Sequence, residues 1–268
     1  MESGHQDNGG EHLAINNTFF RRFLTLLALH TTAKFYSRNG ICFPISKRKI
    51  VKRSTRVHLT EGATMKYLAE NTSIPVPKGE SLPLAWDSLS EESLEDVFTQ
   101  LKGIFQELRS LTPPPGTGVE SCAGGSMYDH RMSRQDYRFG PFKTINEFHL
   151  WLRRDFKLED IKDRPRDQDW HDLAEMTKQQ DGPWPPPKFS HGDLNPTNIL
   201  VRDGKVVGII DWEFSGWYPD YWEYTSAWFG NVIREGWQRK IDKFLDRPSP
   251  ETFKMEEIRC RAFGDYYY

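Results

Sequence analysis

The stretch FSHGDLNPTNILVRDGKVVGIIDWEFSGWYPD, residues 189–220, sets the tightest limit on how this chain can fold. Two β-branched runs, at 199–201 and 206–210, flank Asp203-Gly204, a dipeptide favoured in hairpin turns because it tolerates positive φ. Strands of this composition belong in a core. Yet His191, Asp193, Asn195 and Asn198 crowd the hairpin's entrance, and Asp211 stands at its exit. A tight hairpin is a frame that converges two acids and an amide on one point.

The rest of the chain supplies the setting. Apolar residues at Phe19, Phe20, Phe23, Leu24 and Leu27 recur with helical spacing and predict a helix over 15–36. Residues 41–43 and 49–52 read as a small hairpin interrupted by Pro44 and a polar turn. Thr60 is the expected N-cap of a helix ending near Asn71, with Glu61 in its first turn. Ile74-Pro75-Val76-Pro77 is extended by its prolines, and nothing between Lys78 and Trp86 reads as a strand. Ser90 opens a helix whose stripe runs from Leu94 to Leu111. Thr144-x-x-Glu147 predicts a capping box, residues 158–180 a solvated charged helix, and the chain beyond Pro219 is helical to its end. Residues up to about Glu11 are polar and predicted to fray. The fold class is α+β: an N-terminal part, 1–83, with a helix, a β-hairpin and a helix, and a mainly helical part, 84–268.

Composition excludes several functions. A net charge of −2 gives no global field toward nucleic acid or membrane. The basic run SKRKIVKRSTR alternates with Ile50, Val51 and Val57, which fits a hairpin with one solvated face. Cys42, Cys122 and Cys260 are too scattered for a zinc ribbon or disulfide framework and suit a reducing compartment. The apolar run at 23–29 is too short to span a bilayer, and acids rather than bases precede it, which argues against a secretory signal. The two Asn-x-Ser/Thr matches therefore read as chance, and the expected location is the cytoplasm.

Carboxylates and an amide at a hairpin's mouth are hard oxygen ligands suited to Mg²⁺. His-x-Asp-x-x-x-x-Asn, followed by a hairpin and a further Asp, matches the layout of kinase phosphoryl transfer. HGDLNPTNILV with GIIDWEFSGWYPDYWEY resembles the aminoglycoside phosphotransferase and choline kinase group, and most of all its fungal members. The likeness extends through IVKRSTRVHLTEGATMKYLAENTSIPVPK, through AWDSLSEESLEDVFTQLKGIFQELRSL and through GGSMYDHRMSRQDYRFGPFKTINEFH, covering about residues 40–264. The resemblance implies a protein-kinase-like two-lobe fold, with ATP and Mg²⁺ as cofactors and a hydroxyl of a small molecule as acceptor. By the same resemblance Asp193 is the catalytic base and Asn195 helps position the γ-phosphate or substrate. Asn198 and Asp211 ligate the metal, and Lys52 pairs with the α- and β-phosphates, held by Glu61.

One departure stands out. In the family, IPVPK precedes two more strands and the hinge that binds adenine, whereas here Lys78 runs straight into Gly79-Glu80-Ser81-Leu82-Pro83. The N-terminal β lobe reads as truncated, reduced to the first hairpin and a piece of 74–77. This opens an alternative: an impaired, pseudokinase-like binding or scaffold protein. Blander readings also stand beside single residues. Lys52 is equally an exposed strand lysine, and Glu61 an acid favoured by the helix dipole. His191 reads as a structural histidine bonded to backbone. Trp212, Trp217, Tyr218, Tyr221 and Trp222 read as core before substrate platform, and Glu213, Asp220 and Glu223 as either an acidic rim or a solvated surface.

Overall fold

A computed structural model describes residues 13–38, 40–47, 49–53, 57–75, 80–86, 89–132 and 138–264. The predicted fraying before Glu11, the extended Val76-Pro77 and the hinge position after Lys78 lie outside them. The chain divides into two units, residues 1–63 and 64–268.

In the first unit, helix α1 spans Phe19–His30, shorter than predicted, and Thr32–Phe35 continues as a 3₁₀ turn. Thr18 caps α1 by accepting the Arg21 amide at 3.3 Å. Strands β1 (Cys42–Ser46) and β2 (Lys49–Lys52) pair antiparallel, Cys42 opposite Lys52. Pro44 lies inside β1 instead of ending it, and the register slips between Pro44 and Ser46. A strand with one neighbour has amides to spare, so the missing N–H of proline costs no ladder bond. Helix α2, Leu59–Asn71, begins in the first unit and ends in the second. Thr60 is inside it rather than at its cap; the His58 ring accepts the Thr60 amide at 3.2 Å.

The second unit carries the remaining elements. Ile74 and Pro75 join no strand, but Glu80–Ser81 forms β3, contrary to the sequence reading. It pairs antiparallel with β7 (Ile199–Arg202), Glu80 opposite Val201, and β7 pairs with β8 (Lys205–Ile209) to complete a three-stranded sheet. Two residues have no periodicity to read; a neighbouring strand's free edge makes them a strand. Helix α3 (Leu82–Ala85) follows at once.

Helix α4 (Glu91–Ser110) starts at Ser90 as predicted and buries Val97, Phe98, Leu101, Phe105 and Leu108. The i, i+3, i+4 spacing puts these five on one face. Its Gln100 reaches the hairpin turn, donating to Gly204 O at 3.0 Å and accepting from Val206 N at 3.0 Å. A short ribbon of β4 (Met127–Tyr128) and β5 (Arg138–Phe139) pairs antiparallel, Met127 opposite Phe139. Helix α5 (Ile145–Leu152) is capped by Thr144, but Glu147 accepts the Lys143 amide rather than closing the predicted box. The charged stretch is a 3₁₀ turn at Leu158–Ile161 and helix α6 (Gln168–Gln180), and it is not wholly solvated: Asp172, Met176, Thr177 and Gln180 are buried.

Strand β6 (Lys188–Ser190) pairs with β9 (Gly216–Tyr218), and α7 (Trp222–Phe229), α8 (Glu235–Ile241) and α9 (Pro250–Phe263) close the chain. One apolar cluster joins α4 to the β7–β8 hairpin and α8; another joins α5, α6, α7 and α9. Trp212, Trp217, Tyr218, Tyr221 and Trp222 are all buried, as core. No helix among the described residues is long and apolar enough to cross a membrane.

Candidate active site

The loop between β6 and β7 is built around a glycine that nothing else can replace. Gly192 has φ +80°, and a Cβ there would lie 2.7 Å from the Phe214 carbonyl oxygen. That close approach lets the loop lie on the segment that follows β8. His191 is fully buried and structural, as its sequence context suggested. Its Nδ1 accepts the Asp193 amide at 3.2 Å, which leaves Nε2 to donate to Ile210 O at 2.9 Å. Ile210 is held from the other side too, its amide donating to Asn198 O at 2.9 Å. The residue before Asp211 is therefore fastened to both halves of the loop.

Asp193 is the point on which the loop converges. Asn198 Nδ2 donates to its carboxylate Oδ2 at 3.1 Å and to its carbonyl at 2.9 Å. Asn195 Nδ2 also reaches Oδ2, at 3.3 Å, while its own Oδ1 caps the 3₁₀ turn Pro196–Asn198 through the Thr197 amide. Oδ1 receives Arg131 Nη1 at 3.0 Å. Every one of these donors fixes the carboxylate's direction, and its side chain keeps 21 % exposure toward solvent.

Arg131 was not singled out from the sequence. It is itself held rigidly: Nε and Nη2 donate to the buried Asp129 carboxylate at 2.9 and 2.7 Å, and the guanidinium lies 4.7 Å over the Phe214 ring. The Asp129-x-Arg131 pair was the available signal, but acid–base pairs in loops are common and mostly solvated. Glu223 is also placed unexpectedly. It is 1 % exposed, part of neither rim nor surface, and accepts the His191 amide. Burial pushes its carboxyl up, against the pull of His191.

Asp211 takes a left-handed conformation, φ 65° and ψ 55°, which turns the chain from β8 into the 3₁₀ turn Trp212–Phe214. Asp211 and Glu213 each bring a carboxylate oxygen, the two within 4.8 Å of each other. Asn198 has spent its amino group on Asp193, so its amide oxygen is the atom left to face a cation. Oxygen donors of this kind suit a hard divalent ion. In the first unit, Lys52 Nζ meets Glu61 Oε2 at 2.9 Å and Oε1 at 3.1 Å, with the side chains 23 % and 14 % exposed. Among the residues selected from the sequence, Lys52 thus meets Glu61 within the first unit, Asp193 meets Asn195 and Asn198 within the second, and Asp211 is fastened to Asn198 through Ile210.

An acid is thus held by amides at a loop-to-hairpin junction, with further acids just past the hairpin. The chain belongs to the phosphotransferase enzyme family, whose model matches residues 50–258, and its α+β fold is of the kinase-like class expected. Aminoglycoside 3′-phosphotransferases of Enterococcus faecalis and Staphylococcus aureus are 27 % and 26 % identical to it over 164 residues, 60 % of this chain and 53 % of each relative. The chain thus spans about half the length of the curated relatives it matches. Similar solved structures include APH(2″)-IIa in complex with streptomycin and ATP, at TM-score 0.49 and 12 % identity, covering 92 % of this chain and 88 % of that one. A thermostable mutant of APH(4)-Ia gives TM-score 0.47 and 15 % identity over 74 % of this chain and 70 % of that one.

Proposed function

We propose that this chain is an ATP- and Mg²⁺-dependent phosphotransferase that moves a γ-phosphoryl group to a hydroxyl of a small molecule. The observation that carries the reading is the fixed Asp193 carboxylate, aimed by Asn195, Asn198 and Arg131 and still open to solvent. Its relatives' names point to small hydroxyl-bearing acceptors. Asp193 takes the acceptor's proton as that oxygen bonds to the γ-phosphorus, the bond from phosphorus to the β–γ bridging oxygen breaks, and ADP leaves with the electron pair. Asn195 positions the acceptor or the γ-phosphate. Asn198 and Asp211 would hold the metal, which when bound would supply positive charge to offset the negative charge of the phosphoryl group. Lys52, steadied by Glu61, binds the α- and β-phosphates. The scattered cysteines Cys42, Cys122 and Cys260 suit a reducing, cytoplasmic setting.

A second reading has its own support. Among the described residues, no strand lies between α2 and β3, so a protein that binds without catalysis is the alternative. Titration with Mg·ATP separates the two, with Asp211→Asn as control. Saturable binding that depends on Mg²⁺ and is lost in the variant supports the enzyme; no binding at millimolar ATP overturns it.

A further inference from the structure

The second unit contains a cavity of about 940 Å³ that the proposed chemistry does not use, near the upper end for small-molecule sites. Its apolar wall is Trp86, Leu89, Leu94, Phe98 and Trp237. Phe98 sits between the two indoles, 6.1 Å from Trp86 at an interplanar angle of 64° and 6.4 Å from Trp237. Such rings offer flat, rigid contact area.

Two links tie this cavity to the catalytic loop. Pro196, which lines it, lies between Asn195 and Asn198, the two amides that hold Asp193. Arg234, also in the wall, donates to Asn231 Oδ1 at 3.1 Å, and Asn231 Nδ2 donates to the carbonyl of Leu194 at 3.3 Å. Leu194 is the residue after Asp193. A molecule in this space therefore lies against the loop that presents the base.

The charges around the cavity do not select a polycation. Glu91 and Glu95 are matched by Arg234 and Lys240, and Glu95 is already paired with Lys243. Multiply charged amines need several unpaired carboxylates to replace their hydration, and this wall offers indole, phenyl and leucine instead. We propose that the cavity receives the apolar body of the acceptor, a planar aromatic alcohol that is neutral or singly charged. The proposal rests on the phosphotransferase reading of Asp193.

Gly236 supplies a clean test. It lines the cavity within α8, and a Cβ there meets nothing within 4 Å. Gly236→Phe therefore fills the space while replacing a poor helix former. Cinnamyl alcohol serves as probe, with binding read by ligand-observed NMR. The expected result is saturable binding to the full chain, weakened by about tenfold or more in Gly236→Phe, undisturbed by equimolar streptomycin and undisturbed by Mg·ATP. Unchanged affinity in Gly236→Phe overturns the proposal. Displacement by streptomycin overturns the ligand class, and displacement by Mg·ATP assigns the cavity to the nucleotide instead. A parallel Mg·ATP titration separates the two readings. Alcohol binding blocked by Gly236→Phe, with no ATP binding, removes the phosphotransferase and leaves the cavity's ligand class standing. ATP binding with alcohol affinity untouched by the substitution does the reverse.

Discussion

Arg131 touches Asp193 with one nitrogen while the other two are committed to Asp129, so the Asp193 carboxylate is steadied by a cation that is itself immobile. A guanidinium this rigid gives up little rotamer freedom when it meets the carboxylate. It also couples two buried charges in the second unit, with 10 % exposure for Arg131 and 3 % for Asp129.

Removing Arg131 strands the Asp129 charge. Arg131→Ala is expected to destabilise the protein by about 3–5 kcal/mol, the usual cost of leaving a buried ion unpaired. Arg131→Met combined with Asp129→Leu is expected to cost less than Arg131→Ala alone. Urea unfolding of the three proteins checks the non-additivity.

Asp193→Asn keeps the shape of the group and removes its basicity. Phosphoryl transfer is expected to fall by about 10²–10⁴-fold, while Mg·ATP affinity stays within twofold. Single-turnover rates and calorimetric titration on the same preparations check both halves.

His149 gives the protein a pH dependence. It is fully buried, Nδ1 donating to Gln180 O at 3.1 Å and Nε2 accepting from Tyr221 Oη at 2.8 Å. Burial holds its pKa down to about 3, against an ordinary 6.5. The unfolded chain thus binds a proton that the folded one refuses. The contribution of His149 is complete above pH 6.5 and is lost as pH falls from there toward 3. The loss approaches about 1.4 kcal/mol per pH unit. Stability curves between pH 4 and 7 are expected to be flatter for His149→Gln than for the parent protein.

Gln100 closes the hairpin turn from α4. Gln100→Ala leaves the Val206 amide and the Gly204 carbonyl without a partner and is expected to cost about 1–3 kcal/mol. Amide exchange should quicken at Val206 before it does so elsewhere in β8.

Gly192→Ala meets a second obstacle beyond positive φ, the Phe214 carbonyl 2.7 Å from the new Cβ. The loop has to move off the 3₁₀ turn, so a loss of more than about 1–3 kcal/mol is expected together with loss of transfer. Thermal unfolding and activity measured together distinguish this from a purely chemical defect.

Much of this centre is legible because its parts are close in sequence. Asp193, Asn195 and Asn198 fall on one loop, and Asp203-Gly204 announces the turn with φ of 50° and 70°. Helix α4 is legible for a different reason: its twenty residues repeat one pattern long enough to be read. Arg131 is hidden because its partner lies 62 residues away and its own segment has no period. Strand β3 is hidden because two residues become a strand only when β7 offers an edge. Glu223 looks like a surface acid until the loop above it is in place. Pro44 misleads because its penalty vanishes on an edge.

The double fastening of Ile210 has a further consequence. Asp193 and Asp211 hang from one short backbone clasp, so neither can drift from the other without breaking bonds in both. The loop and the hairpin's exit form one preassembled cassette.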